Sequence, residues 1–494
     1  MKNQVQLITY VDRLSGQGLK ELHSLLTGPM KDLFGGVHLL PFFDPIDGAD
    51  AGFDPIDHCQ VDPRLGDWED IRKLGQEVDL MADMIVNHMS AQSREFQDVL
   101  ARGEQSEYAS LFLTLARVFP DGASEAELTA IYRPRPGLPY TEMALPEGTK
   151  EQFWTTFTAN QIDIDVQSEA GIHYLECILQ SFAEAGIRMI RLDAAGYAIK
   201  KRGTSCFMIP ETIDFISSLT KKAQALGMEV LVEIHSYYRQ QIEIAQRVDY
   251  VYDFALPPLV LHALFRQTAV YLQDWLAISP RNAITVLDTH DGIGIIDIGP
   301  SGELPGLVPD EDIDFVVEQI HERSRGESQL ATGAAASNLD LYQVNCTYYD
   351  ALGQDDHLYL LARLIQFFAP GVPQVYYTGL LAEPNDLKLL AQTNVGRDIN
   401  RHYFALGEAE KALQRPVVQR LCELIRFRNH HPAFHGQFAI LTAHSSATSL
   451  EMQWRKGQDY ASVKVDLKDY SFQMRFNRLD GSKAVVHDWD MLGW

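Results

Sequence analysis

Apolar runs that end in a polar or charged residue recur along this chain, and stretches of helical spacing separate them. QVQLITYV (4–11) predicts a first strand, and apolar residues at helical spacing predict a helix over 18–34. GVHLLPF (36–42) predicts a second strand, which opens into a long polar loop over 44–58. A helix follows over 67–78, and MADMIVNH (81–88) predicts a third strand ending in His88. The alternation breaks over 89–166, which carries the Pro-rich run YRPRPGLPY (132–140). It returns with a helix over 171–185, a strand over 187–193, a helix over 212–226 and the strand EVLVEIH (229–235). Further strands are predicted at 250–255, 283–292 and 374–379, with helices at 356–368 and 415–429. A second irregular segment spans 292–353. The tail, 433–494, alternates apolar and polar residues, as in LEMQW and YSFQMRF, and predicts a small antiparallel β domain.

Apolar strands alternating with helices describe an α/β protein. The expected fold is a (β/α)8 TIM barrel with inserted subdomains after strands three and seven and a C-terminal β domain. The division expected is barrel over 1–88, insert over 89–166, barrel over 167–291, insert over 292–353, barrel over 354–432 and β domain over 433–494.

Composition narrows the partners. Forty-two basic against 67 acidic residues leave a net charge of −25, which argues against nucleic acid and anionic membrane. An anionic substrate would need a local cluster of arginines. Five cysteines (Cys59, Cys177, Cys206, Cys346, Cys422) are scattered without a CxxC pair. That suits a reducing compartment and argues against a zinc site. No apolar run is long enough to span a bilayer, and 4–11 reads as a strand rather than a leader. A cytoplasmic enzyme is expected.

The candidate chemistry lies at strand ends. In IRLDAAGY (190–197), Arg191 and Asp193 are two apart and point to the same side of a strand. An arginine there is expected to keep the carboxylate ionised and oriented, as a nucleophile requires. An aspartate that merely caps the next turn would show the same pair. Glu233 stands among the apolar residues of VLVEIH, where an ionised carboxylate is costly, an environment that suits a general acid. His88 and the pair His290–Asp291 end two further apolar runs. In a barrel all these ends meet at one face, so three carboxylates, two histidines and Arg191 are expected to converge. Two carboxyl groups across a sugar ring are what glycosidic cleavage needs. Nothing forms a phosphate-cradling glycine loop, a Ser-His-Asp triad or a zinc helix.

At these residues the chain resembles the α-amylase superfamily. DMIVNH (83–88), RLDAAGYA (191–198), EIH (233–235) and LDTHDG (287–292) are similar to its four sequence regions, and QIDID (161–165) to its additional short one. The likeness narrows to the bacterial sucrose phosphorylase branch. It is carried by ADAGFDPIDH (49–58), YRPRPGLP (132–139), GTSCFM (203–208), HSYY (235–238), YDFALPP (252–258), LDTHDGIGIIDIG (287–299), GAAASNLDLYQVN (333–345) and GRDINRHY (396–403).

The resemblance implies that Asp193 is the nucleophile, Glu233 the acid/base and Asp291 the transition-state stabiliser. It implies sucrose and inorganic phosphate as small-molecule substrates, no cofactor and no metal, although Asn87 matches a calcium-binding position of many amylases. Asp50 and Arg397 are expected to pair at the closed end of a one-glucose pocket. His88, His290 and Arg191 would bind its hydroxyls, and Phe53 and Tyr197 would pack on its C–H faces. Arg135 is the candidate phosphate ligand, with Leu341 and Tyr342. Tyr132, Asp340, Tyr342 and Gln343 would shape the acceptor side, His235 is a further substrate-binding candidate, and the 336–345 loop is expected to exchange Asp340 for Tyr342 when fructose gives way to phosphate. Phosphorolysis of a related α-glucoside, hydrolysis or transglucosylation, and a non-catalytic binding protein are the alternatives. A homodimer is left open.

Overall fold

A computed structural model describes residues 1–48, 50–332, 343–478 and 480–491. Asp340, Leu341 and Tyr342, and the loop exchange built on them, lie outside the described residues. Eight parallel strands close a barrel: β1 (Gln6–Thr9), β2 (Gly36–Leu39), β3 (Asp79–Ile85), β4 (Met189–Asp193), β5 (Glu229–Val232), β6 (Tyr250–Asp253), β7 (Ala283–Thr285) and β8 (Val372–Tyr376). Each pairs with its neighbours in sequence, and β8 closes on β1 with Gln6 opposite Gln374.

The strands' period of two explains why chemistry appears where it does. Met81, Met189, Leu231, Tyr252, Ile284 and Val372 pack together as an apolar plug inside the barrel. Two residues further along, the same inward face presents Asp83, Arg191 and Glu233. The register sets Arg191 directly beside Asp83 on one flank and Leu231 on the other. The intervening residues, such as Ile190, Leu192, Val230 and Val232, face the helices and are fully buried there. An apolar floor thus carries a charged layer above it, at the end of the barrel where the strands terminate.

Helices begin where the sequence supplies caps. Asp67 accepts from the amides of Glu69 and Asp70 at the head of the Trp68–Glu77 helix, and Asp355 caps Asp356–Phe368 through the amide of Leu358. Several predicted elements are corrected. The 18–34 helix runs only over Leu19–Thr27, because Gly28 ends it. The third strand stops at Ile85, so His88 belongs instead to a short ribbon, His88–Ser90 against Gln161–Asp163. Glu233 lies just beyond β5, not inside it. Residues Tyr377–Leu380 are helical rather than a continuation of β8.

The 89–166 stretch also contains an antiparallel hairpin, Tyr140–Ala144 with Lys150–Trp154. The later insertion pairs Ile293–Gly294 with Gln343–Val344. The tail forms a five-stranded antiparallel sheet over Gln437–Ile440, Ser449–Lys456, Asp459–Asp466, Phe472–Asn477 and Lys483–Val486. Trp454 Nε1 donates to the Phe368 carbonyl at 2.8 Å and fastens this sheet to a barrel helix. No helix among the described residues is long and apolar enough to cross a membrane.

Candidate active site

A cavity opens at the C-terminal end of the barrel. Asp50, Phe53, His88, Arg135, Asp193, Tyr197, Glu233, His235, His290, Asp291, Gln343 and Arg397 all contribute to its wall. These residues come from the ends of β-strands and the segments just beyond them, the 44–58 loop, both insertions and the Gly396–Asn400 turn, and only the closed barrel brings them together. Arg191 and Tyr132, also expected on sequence grounds, stand one layer back.

Arg191 is the charge centre. Its guanidinium donates to Asp83 at 2.5 Å and to Asp193 at 2.8 Å, and lies 4.0 Å from Glu233. Asp83 in turn receives His38 Nε2 at 2.9 Å. Burial opposes the charge on Asp83, but His38 and Arg191 outweigh it and hold the carboxyl down to about 2. Asp193 behaves differently. Its burial, despite the pull of Arg191 and with the added charges of Glu233, Asp83 and Asp291, pushes it well above the usual carboxylate range. The expectation of an Asp193 simply held ionised by Arg191 is therefore corrected: desolvation and like charge exceed what one shared arginine supplies. Asp193 is followed by Ala194 in the left-handed conformation, φ 53°, which turns the chain away and costs roughly 1–2 kcal/mol.

Asp291 sits among cations. Arg397 Nη1 is 2.7 Å away and Arg401 Nη2 is 3.8 Å away, and these two arginines with His235 hold its carboxyl far below the ordinary range, against burial. The Asp291–Arg397 contact was not anticipated. Asp50 feels Arg135 first, at 3.9 Å, and Arg397 second, and its carboxyl is lowered despite burial. Arg401 also donates to the His290 carbonyl at 2.9 Å.

The three histidines differ in charge. Burial pushes His290 down to about 3 and lowers His88, so both are neutral at pH 7. The Nδ1 of His290 is buried and makes no hydrogen bond to the chain. His88 Nε2 reaches the Phe53 carbonyl at 2.9 Å and Gln161 Nε2 at 3.2 Å. His235 is raised to about 9: burial opposes its charge, but Asp297 at 2.9 Å, then Glu233 and Asp291, overcome it.

Aromatic rings line the walls. Phe53 stacks on His290 with centroids 4.7 Å apart. Tyr197 packs against Phe157 (5.2 Å) and Phe207 (4.7 Å), and Tyr132 stacks on both Phe207 at 4.6 Å and Tyr197 at 6.2 Å. Gly196 makes this possible, because a Cβ there would lie 2.8 Å from the Phe207 ring. Phe157, Gln161, Asp83, His38, Asp297 and Arg401 were missed by sequence reasoning. Asp83 alone left a signal, as a charge inside an apolar strand.

Two places could hold a cation. Lys200, fully sequestered, lies 2.5 Å from Asp163 and 2.6 Å from Asn87, so an ammonium group already occupies the position that Asn87 marks in the resemblance. Among the described residues, Glu233, His235 and Asp291 have ligand atoms within 4.8 Å of one another. They do not fit a metal: Asp297 on Nδ1 favours the protonated form of His235, which a metal cannot use, and Asp291 is taken by Arg397. Activity is therefore expected to survive exhaustive chelation. A chelator-sensitive rate that calcium restores would contradict this.

Comparison with known proteins agrees with the geometry. Residues 30–255 match the alpha amylase catalytic domain. A sucrose phosphorylase of Agrobacterium vitis is 62% identical over 94% of this chain and 95% of its own length. That of Bifidobacterium adolescentis is 54% identical over 95% of this chain and 93% of its own. The chain belongs to the sucrose phosphorylase family. Among solved structures, the sucrose 6F-phosphate phosphorylase from Thermoanaerobacter thermosaccharolyticum superposes with a TM-score of 0.90 at 39% identity, covering 99% of this chain and 98% of that one. That match extends over the barrel, both insertions and the C-terminal sheet.

Proposed function

We propose that this protein catalyses the reversible phosphorolysis of sucrose to α-D-glucose 1-phosphate and D-fructose, with retention, through a covalent glucosyl-enzyme. The arrangement that carries this reading is one guanidinium, Arg191, set between Asp193 at 2.8 Å and Glu233 at 4.0 Å. In the first step an Asp193 oxygen attacks the anomeric carbon. The bond to the fructosyl oxygen breaks, and Glu233 gives that oxygen its proton. In the second step a phosphate oxygen attacks the same carbon, Asp193 departs as a carboxylate, and Glu233 recovers a proton from the phosphate. The direct hydrogen bond from Arg191 at 2.8 Å favours the charge on Asp193, against the burial and the neighbouring carboxylates that oppose it. Asp291, kept ionised by its arginines, faces the positive charge that develops on the sugar. Asp50, His88, His290 and Arg397 bind the glucosyl hydroxyls, and Phe53 and Tyr197 cover its C–H faces. The scattered, unbridged cysteines support a cytoplasmic setting.

Incubating the protein with sucrose, with and without phosphate, tests this. Glucose 1-phosphate formed only with phosphate supports it, whereas free glucose as the main product in both arms makes the enzyme a hydrolase. The reverse reaction from glucose 1-phosphate, offered fructose, fructose 6-phosphate, glycerol or glycerate, separates the related phosphorylases.

Phosphate must enter a protein of net charge −25, so the acceptor side has to supply cations. Arg135 lies between Pro134 and Pro136, which restrict the backbone on both sides. Arg135→Ala is expected to raise the Michaelis constant for phosphate by on the order of 10–100-fold, the loss of a charge-assisted hydrogen bond of about 1.5–3 kcal/mol. The share of free glucose should rise with it, because water then competes for the glucosyl-enzyme. An unchanged Michaelis constant for phosphate removes Arg135 from the site.

A further inference from the structure

Asp297 lies outside the cavity wall, in the short turn Ile296–Ile298, and is completely buried. One of its carboxylate oxygens is 2.9 Å from His235 Nδ1, and the other accepts from Gln241 Nε2 at 2.8 Å. Gln241 is itself anchored on the Ser236 carbonyl. The His235 ring lies flat on Phe254, with centroids 3.9 Å apart. Gly294 fits closely over the pair, since a Cβ there would stand 2.5 Å from the Asp297 carboxylate and 3.3 Å from His235 Nδ1. The imidazole is thus pinned by an edge, a face and a backbone.

The other ring nitrogen lies on the cavity side. His235 Nε2 is 3.6 Å from Glu233 Oε1 and 3.4 Å from Gln343 Nε2. Among the described residues, the charged groups facing the ring are Asp297, Glu233 and Asp291, all acidic, and Arg397 stands behind Asp291 at 2.7 Å from it. Phe254 and Gln343 are neutral. A buried carboxylate on Nδ1 fixes that proton, so any further proton sits on Nε2. Two N–H donors 3.4 Å apart do not satisfy each other, but both can donate to an oxygen-rich anion.

We propose that Asp297 is a positioning residue that holds His235 as a fixed cation, so that its Nε2–H and the Gln343 amide bind the oxygens of incoming phosphate opposite Arg135. This deepens the phosphorylase reading and rests on it. It also explains why an acidic pocket accepts an anion next to Glu233: the local field comes from a cation whose counter-charge is buried behind it. The sign of the pH effect follows. With Asp297 present, His235 stays charged up to about 9, so it does not limit phosphate binding between pH 6 and 8. Without that carboxylate, only Glu233 and Asp291 still oppose burial, and the ring falls back toward its ordinary value.

The test is Asp297→Asn in the full chain, with the phosphate Michaelis constant measured against pH for variant and parent. Taking their ratio at each pH cancels the titration of phosphate itself. The ratio should rise roughly 20-fold between pH 6 and 8, as an imidazole near its ordinary value of about 6.5 loses its proton. The corresponding ratio for sucrose should show no such pH trend, and Asp297→Glu should restore the parent's profile in part. A phosphate ratio flat with pH, or a loss that falls equally on both substrates at every pH, overturns the proposal. A second arm follows the His235 ring by NMR in both proteins, with and without inorganic phosphate. The parent ring should titrate near 9 and respond to phosphate, and the variant ring should titrate below 7. If the parent forms no glucose 1-phosphate, the phosphorylase reading fails, and the NMR arm still decides what Asp297 does to His235. Equal titration in both proteins rejects it.

Discussion

Replacing Asp193 by alanine is expected to abolish turnover of sucrose, by on the order of 10⁴-fold or more, since it removes the attacking atom itself. The same variant should fold and be at least as stable as the parent. Asp193 is a carboxyl raised well above its usual range by burial, with Glu233, Asp83 and Asp291 adding to the effect. Removing it relieves a cluster of like charges. Arg191 is not left unpaired, because Asp83 still accepts from it at 2.5 Å and Asp83 is itself held by His38. Steady-state activity and a thermal melt check both halves. Residual activity within tenfold of the parent's would remove Asp193 from its role, and a lower melting temperature would show that the arginine network, not the substrate, needs it.

Lys200→Met should cost about 3–5 kcal/mol of stability, the size expected when one member of a buried ion pair is deleted. Lys200 and Asp163 are both sequestered and 2.5 Å apart. Without the ammonium, the side-chain carboxylate of Asp163 keeps, among the described residues, the hydrogen bonds of Thr156, whose amide and hydroxyl reach it at 2.9 and 2.5 Å. The damage is aimed at the site. Asp163 pairs with His88 across the ribbon, and Asn87, the other partner of Lys200, lies 3.4 Å from the His88 ring. The Michaelis constant for sucrose should therefore rise as well. Adding Asp163→Asn to Lys200→Met should recover much of the lost stability, because no unpaired charge then remains buried. Denaturant unfolding of the two variants measures this. A Lys200→Met protein as stable as the parent would mean that the ammonium is not the internal cation of the 89–166 insertion.

Local pattern carried far into this protein. The period of two in Met189-Ile190-Arg191-Leu192-Asp193 determines that Arg191 and Asp193 face the same way, and apolar neighbours determine that this way is inward. The polar strand end at Asp193 followed from the same reasoning, and so did the barrel with its extra β domain, whereas His290 and Asp291 lie beyond β7, which stops at Thr285. Element ends were less legible. His88 closes an apolar run but leaves the barrel for a ribbon, because the residue opposite it in that ribbon, Asp163, lies 75 positions along the chain and no local signal announces it.

Only the tertiary structure decided the electrostatics. A sequence places Arg191 two residues from Asp193, but whether that arginine prevails depends on Asp83, on Glu233 and on how much water reaches the pair. It offers three similar histidines, yet packing leaves His88 and His290 neutral and gives His235 a buried carboxylate from a residue 62 positions away. Charge states depend on distance and solvent exclusion through space, and those quantities exist only once the barrel has closed.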